Sequence, residues 1–107
     1  LPPYDPLTLI PKKGTQAETL AALEAVAAVL PTVDLSDEAA AEVRFRALAD
    51  ELGMKPGSLF MPIRVAVTGS TQSPGLFETL RVIGAGRCQQ RIQQAITALG
   101  ESEMAAG

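Results

Sequence analysis

The residues with the most evident chemical potential lie between positions 61 and 77, in the stretch MPIRVAVTGSTQSPGLF. It sets one arginine, Arg64, between Ile63 and Val65 and then continues into a loop. Arginine neutralises phosphates and donates hydrogen bonds to base edges. The plainer interpretation is a surface arginine whose stem covers a buried helix while its head reaches water.

A helix start follows the loop. Ser73 is a typical N-cap residue, and Pro74 would occupy the first helical position, where its missing N–H costs nothing. Gly75 adds no side chain to the first turn of this helix, and the free N–H groups of the turn point outward. Such a helix start can donate hydrogen bonds to phosphates or to base edges.

Two apolar residues come next, and unpaired bases are usually read by contact with surfaces of this kind. Phe77 has the helical spacing to Leu80 that favours packing in the core. Leu76 lies one residue further round the helix. We therefore predict that Leu76, rather than Phe77, makes the base contact.

No enzyme motif is visible elsewhere. The chain has no histidine, which closes the common Ser-His and Cys-His arrangements, and its single cysteine, Cys88, leaves no transition-metal cluster. Lysine-based nucleophile activation has no support, and most carboxylates lie at spacings explained by helix capping and solubility. GSTQSPG lacks the preceding strand and the glycine spacing of a phosphate loop.

Charge is distributed unevenly along the 107 residues, whose net charge is −3. Residues 1–53 carry four basic side chains against nine acidic ones, whereas residues 54–91 carry five against one. The basic part contains the stretch described above and suits a nucleic-acid partner. Uneven solvated surface is the alternative explanation.

The length fits one domain, and hydrophobic residues at 47% favour folding over disorder. No segment has the length and apolarity of a membrane span, and the N-terminus has no secretory signal. The absence of an initiator methionine indicates an excised fragment. A lone cysteine suits a reducing compartment, so we predict a cytoplasmic protein.

The elements that would position these residues are predicted to be helices only. Four prolines among residues 1–14 indicate an extended lead-in, followed by an all-helical domain over residues 15–100 and a frayed tail over residues 101–107. Thr15 and Glu18 have capping-box spacing before the first helix. No second strand candidate exists to pair with IRVAV, so we predict that it is helical.

Finer predictions concern the second, third and last helices. Ser36 should cap the second helix and Gly53 should end it, while Pro62 should break the next segment into two short turns and Gly100 should end the last helix. The face of the second helix predicted to point inward comprises Ala40, Val43, Ala47, Leu48 and Leu52, and that of the last comprises Cys88, Ile92, Ala95, Ile96 and Leu99. The fold class is an all-α domain of about five helices.

The stretch MPIRVAVTGSTQSPGLFETLRVIG resembles the C-terminal anticodon-binding region of bacterial-type glutamyl-tRNA synthetases. That family's pattern runs proline-leucine-arginine, small apolar residues, threonine-glycine, a loop, then proline-x-leucine-phenylalanine-glutamate. LIPKK and ALADELGMKPGSLFMP are similar to the family's upstream segment, so the resemblance covers roughly residues 4 to 99. It implies a helical bundle or cage of the class I synthetase type.

The resemblance also implies partners and site residues. The parent would be a class I ligase that joins glutamate to its tRNA with ATP and Mg²⁺. This chain would be a non-catalytic part without a cofactor, gripping the tRNA(Glu) anticodon loop and attached to the rest of the synthetase. The implied anticodon residues are Arg64, Ser73, Pro74, Gly75, Leu76 and Phe77, with weaker backbone contacts from Lys55, Arg81 and Arg87, while Thr68 and Gly69 shape the turn.

Ala85 and Gly86 replace residues of a lysine-glutamate-arginine often found in that family, which removes a positive charge near the RNA backbone. Two other classes of function are alternatives. A helical protein-interaction module would bury the apolar face of FMPIRVAV against a partner helix. A helix-turn-helix DNA reader is disfavoured because no helix begins with clustered basic or amide side chains; RCQQRIQQ comes nearest.

Overall fold

The computed structural model describes residues 4–72 and 75–106, with the side chains of 102–106 left aside. Within these ranges there is no β-strand, and the all-α prediction is confirmed. The helices are α1 (Gln16–Val29), α2 (Glu38–Glu51), α3 (Pro56–Thr68), α4 (Leu76–Ile83) and α5 (Ala85–Ala106), with short 3-10 helices at Pro6–Leu9 and Leu30–Thr32.

The lead-in is tied to the domain through one of these short helices. The carboxylate of Asp5 accepts a hydrogen bond from the Leu7 amide at 3.0 Å and starts the turn. Leu9, at its end, is fully buried. The segment predicted as extended therefore contains a helical turn that places an apolar side chain in the core.

Helix α1 begins where the capping box predicts. The Thr15 hydroxyl accepts from the Glu18 amide at 3.1 Å, and the Glu18 carboxylate accepts from the Thr15 amide at 3.0 Å. The helix packs mainly on α5. Gln16 donates to the Leu99 carbonyl at 2.8 Å, while Gln89 donates to the Ala27 carbonyl at 2.9 Å, so the two helices run antiparallel.

Helix α2 departs from the prediction at its start. Its N-cap is Asp37, whose carboxylate accepts from the Ala40 amide at 3.0 Å. Ser36, the predicted cap, instead bonds through its amide and hydroxyl to Asp34. Both residues suit an N-cap, and the turn at Asp34 decides between them.

The buried face of α2 was also placed wrongly. It comprises Ala41, Phe45, Leu48 and Ala49, whereas Val43 is 69% exposed and Leu52 37% exposed. Ala40 and Ala47 are exposed as well, so only Leu48 of the predicted set is buried. Alanine carries little apolar area, so the large ring of Phe45 determines which face turns inward.

Helix α3 is continuous, although two short turns were predicted. Pro62 is buried inside it and leaves only one amide position without a donor. IRVAV is helical, as predicted. Helix α5 likewise continues through Gly100 to Ala106, because a single glycine costs a helix interior only about 1 kcal/mol. Its predicted inward face is buried except for Ile96, which is half-buried.

The helices enclose one hydrophobic core. Its largest side chains, each at most 1% exposed, are Phe45, Leu9, Leu23, Leu59, Ile63, Leu80, Ile92 and Leu99. They come from the lead-in and from all five helices, so α3 and the turn that follows it rest on a packed support.

Candidate nucleic-acid interface

Arg64 lies in the third turn of α3 between two core residues. Ile63 is 1% exposed and Val65 is fully buried, whereas Arg64 is half-buried. Helical spacing places Phe60, Arg64 and Thr68 one turn apart on the same face. The guanidinium thus rises from a fixed backbone at the edge of the core.

The end of α3 is shaped by a left-handed glycine. Gly69 has φ 76° and its amide donates to the Val65 carbonyl at 2.7 Å. The Thr68 hydroxyl donates to the Arg64 carbonyl at 2.6 Å and accepts from the Ser70 amide at 3.1 Å. Thr68 and Gly69 therefore shape the turn, as predicted.

The loop continues in the same manner. The Ser70 hydroxyl donates to the Gln72 carbonyl at 2.8 Å and accepts from the Gln72 amide at 3.0 Å. These short-range bonds hold the backbone close to the α3 end. Ser73 and Pro74, the next two predicted site residues, lie outside the described residues.

Helix α4 begins at Leu76 with Gly75 at its N-cap, two positions later than predicted. Gly75 is exposed, but Leu76 is only 4% exposed. The prediction that Leu76 presents a surface for a base is therefore wrong, because Leu76 lies one turn before the buried Leu80 on the inward face of α4.

Phe77 has the core role predicted for it. It is 8% exposed, and its ring lies 5.9 Å from that of Phe45 in a stacked arrangement. The Phe60 ring meets it edge to face with centroids 5.3 Å apart. These contacts join the start of α4 to α2 and α3.

Sequence reasoning missed Phe60 as a neighbour of the candidate site. Its ring is half-buried, and the Arg46 guanidinium carbon lies 5.6 Å from the ring centroid. Arg46 is held in turn by Glu42, with Nε and Oε2 2.8 Å apart. The signal in the sequence was its position four residues before Arg64 on one helix.

The three weaker candidates differ in environment. Lys55 is exposed at the N-cap of α3, and Arg87 is exposed near the start of α5. Arg81 is paired with Glu38, its Nε 2.6 Å from Oε2, and this ion pair joins α4 to α2. The charge of Arg81 is thus partly offset within the domain.

Arg91, on α5, stabilises the C-terminal end of α3. Its Nη1 donates to the Val67 carbonyl at 2.6 Å, and this carbonyl belongs to the last turn of α3. A positive charge near a helix C-terminus is favourable. Burial raises the pKa of the neighbouring Cys88 thiol to about 11, with Arg91 acting in the opposite direction.

The described residues contain no group of three or more His, Cys, Asp or Glu side chains that could hold a metal ion. Among the same residues, no helix combines the length and apolarity needed to cross a bilayer. What the site offers is a half-buried arginine, a stiff turn and an aromatic ring.

The sequence matches a known protein family. Residues 1–96 match the model of the anticodon binding domain. The chain belongs to that family. The resemblance to glutamyl-tRNA synthetases is confirmed, since the relatives of this chain include enzymes named glutamate–tRNA ligase.

Three of these ligases illustrate the coverage. The Roseiflexus castenholzii enzyme is 45% identical over 90% of the chain, which corresponds to 19% of the enzyme. Those of Dehalococcoides mccartyi and Solibacter usitatus are each 46% identical over 92% of the chain, or 20% and 21% of the enzymes. The chain thus spans about a fifth of the length of these relatives. No solved structure shows a significant match.

Proposed function

We propose that this anticodon binding domain grips the anticodon loop of tRNA(Glu) on behalf of a glutamate–tRNA ligase. The observation that carries the proposal is the family match over residues 1–96, joined to ligase relatives of 42 to 48% identity. Catalysis with ATP and Mg²⁺ would belong to another part of the synthetase. A cytoplasmic location follows from that role.

Arg64 is the proposed reader of the anticodon. Its backbone is fixed between buried neighbours, and its carbonyl is bonded to the Thr68 side chain. Its backbone then needs no further ordering when RNA binds, which reduces the cost of binding. A guanidinium so placed can donate paired hydrogen bonds to a base edge.

The apposed residues would act in two ways. Ser73, Pro74 and the exposed Gly75 would contact the bases, as the family resemblance implies. Leu76 and Phe77 would act indirectly, because their buried side chains hold the start of α4 against the core. They are thus proposed as positioning residues rather than as surfaces for bases.

Electrostatics would make a modest contribution. Residues 54–91 are basic, and exposed Lys55 and Arg87 would attract the RNA backbone, whereas Arg81 is shared with Glu38. A net charge of −3 works against binding. We therefore expect weak affinity with a small salt dependence, since few phosphates are neutralised.

The apolar surface needed for the alternative, a protein-interaction module, is buried inside the domain. It required the apolar face of FMPIRVAV to be available to a partner helix. Within that segment Pro62, Ile63 and residues 65–67 are all buried in the domain's own core. Only Phe60 and Met61 are half-buried among its apolar side chains.

The test is a binding titration of the chain against an anticodon stem-loop of tRNA(Glu) and the same stem-loop with the first two anticodon bases changed. We expect the altered loop to bind at least about tenfold more weakly, since a mismatched base contact costs roughly 1 to 3 kcal/mol. Equal affinity for the two loops would overturn the proposed reading of the anticodon.

A further inference from the structure

A cleft lies beside the turn that follows α3. Its volume is about 340 Å³, and it is lined by Tyr4, Ala66, Val67, Thr68, Gly69, Arg91 and Gln94. It shares Thr68 and Gly69 with the candidate interface. A single-stranded segment that crosses this turn from Arg64 would therefore come to the cleft.

The polar groups of the cleft disfavour a phosphate. The last residues of α3 line the cleft, and a helix C-terminus carries a partial negative charge. The nearby guanidinium, that of Arg91, already donates to the Val67 carbonyl at 2.6 Å. The partial negative charge of the helix end repels an anion, and the Arg91 guanidinium is already bonded to Val67. The cleft therefore favours a neutral ligand over an anion.

The other side chains suit a flat ligand with polar edges. Gln94 is exposed and carries two N–H donors and a carbonyl acceptor in one amide. Tyr4 is half-buried and packs against the core, so its ring forms a firm apolar wall. The Tyr4 phenol is neutral near physiological pH, since its ordinary pKa is 10.0 and burial raises the pKa further.

Aromatic rings and amide groups are what proteins use to hold unpaired nucleobases. We propose that this cleft binds one unpaired nucleobase of the anticodon loop, outside the bases read at Arg64, stacked on Tyr4 with its edge toward Gln94. The inference rests on the proposed function and extends it to a flanking nucleotide.

Two matched pairs of variants test the cleft against the same anticodon stem-loop. Tyr4→Leu removes the ring and should weaken binding about tenfold, whereas Tyr4→Phe keeps it and should bind like the wild type. Gln94→Ala should weaken binding about threefold to tenfold. Gln93→Ala should have no effect, because Gln93 lies on the same helix but lines a separate groove beside Glu24.

An abasic scan of the loop gives a readout that does not depend on any variant folding. Removing one base outside the first two anticodon positions should weaken wild-type binding, and Tyr4→Leu should lose that sensitivity. The proposal is overturned if every such abasic loop binds normally, if Tyr4→Leu stays folded with wild-type affinity, or if Gln93→Ala and Gln94→Ala have equal effects.

The experiment separates this proposal from the function on which it rests. If the wild-type chain distinguishes the two anticodon sequences but the cleft variants bind normally, the cleft proposal alone fails. If the wild-type chain does not bind the stem-loop, both proposals fail.

Discussion

Truncation of Phe77 should show that this residue supports the interface by holding α4 in place. The Phe77→Ala variant removes a ring that is 8% exposed and contacts the rings of Phe45 and Phe60. A buried phenylalanine truncated to alanine costs about 3 to 5 kcal/mol of the free energy of unfolding. The two ring contacts favour the upper part of that range.

The loss should be measurable without unfolding the whole population. A domain of this size has roughly 5 to 15 kcal/mol of stability, so the variant stays folded without denaturant wherever the wild type exceeds about 5 kcal/mol. With an m-value of about 1.5 kcal/mol per M, the urea midpoint should fall by roughly 2 to 3 M. Far-ultraviolet circular dichroism follows the helices directly.

Val82→Ala is the matched control, since Val82 lies on the same helix and is 72% exposed. It should change the free energy of unfolding by no more than about 0.5 kcal/mol. A loss below about 1 kcal/mol for Phe77→Ala, or equal losses for the two variants, would refute the assignment of Phe77 to the core.

Three further substitutions test local features of the fold. Thr15→Ala removes the cap shared with Glu18 and should cost about 1 kcal/mol in the same urea assay; an unchanged midpoint would contradict this. Gly69→Ala forces a side chain into a left-handed backbone and should cost about 1 to 2 kcal/mol, so a gain in stability would count against the turn described here. Burial raises the pKa of the Cys88 thiol to about 11 from an ordinary 9.0, so alkylation should require unfolding. Because the native state holds the proton more tightly, stability should fall as pH rises from about 9 to 11, and Cys88→Ala should lack that contribution; rapid alkylation of the native chain would contradict the burial.

Local chemistry made several boundaries predictable from sequence. Thr15 and Glu18 stand at a spacing that few structures other than a helix start would satisfy, and the cap forms as predicted. The all-α class followed from the lack of a second strand to pair with IRVAV. The motif around Arg64 carried the family resemblance without any structural knowledge.

What failed depended on packing between segments. In α2, alanines on several faces left the inward direction open, and the ring of Phe45 settled it through its contact with Phe77. Leu76 was placed outside because only Phe77 was assigned to the face of Leu80, but Leu76 lies four residues before Leu80 and Phe77 three, so both side chains lie on that buried face.

The hydrogen bonds that connect the helices around the site could not be predicted from the sequence either. Arg91 reaches the Val67 carbonyl across 24 residues of chain, and no periodicity marks such a pair. The Gln16 and Gln89 bonds between α1 and α5 are of the same kind. Polar side chains that tie helices together have ordinary spacing on their own helix, so only the tertiary arrangement identifies them.

The central claim is that Arg64 reads the anticodon, and a double-mutant cycle between this side chain and the bases tests it most directly. Arg64→Ala and the control Arg44→Ala, which removes an arginine of α2 paired with Glu51, would each be titrated with the tRNA(Glu) stem-loop and with the altered loop. Thermal unfolding would be checked in parallel. We predict that Arg64→Ala loses most of the discrimination between the loops, with a coupling energy of about 1 to 3 kcal/mol, while Arg44→Ala retains it. Discrimination that survives in a folded Arg64→Ala variant would contradict the account.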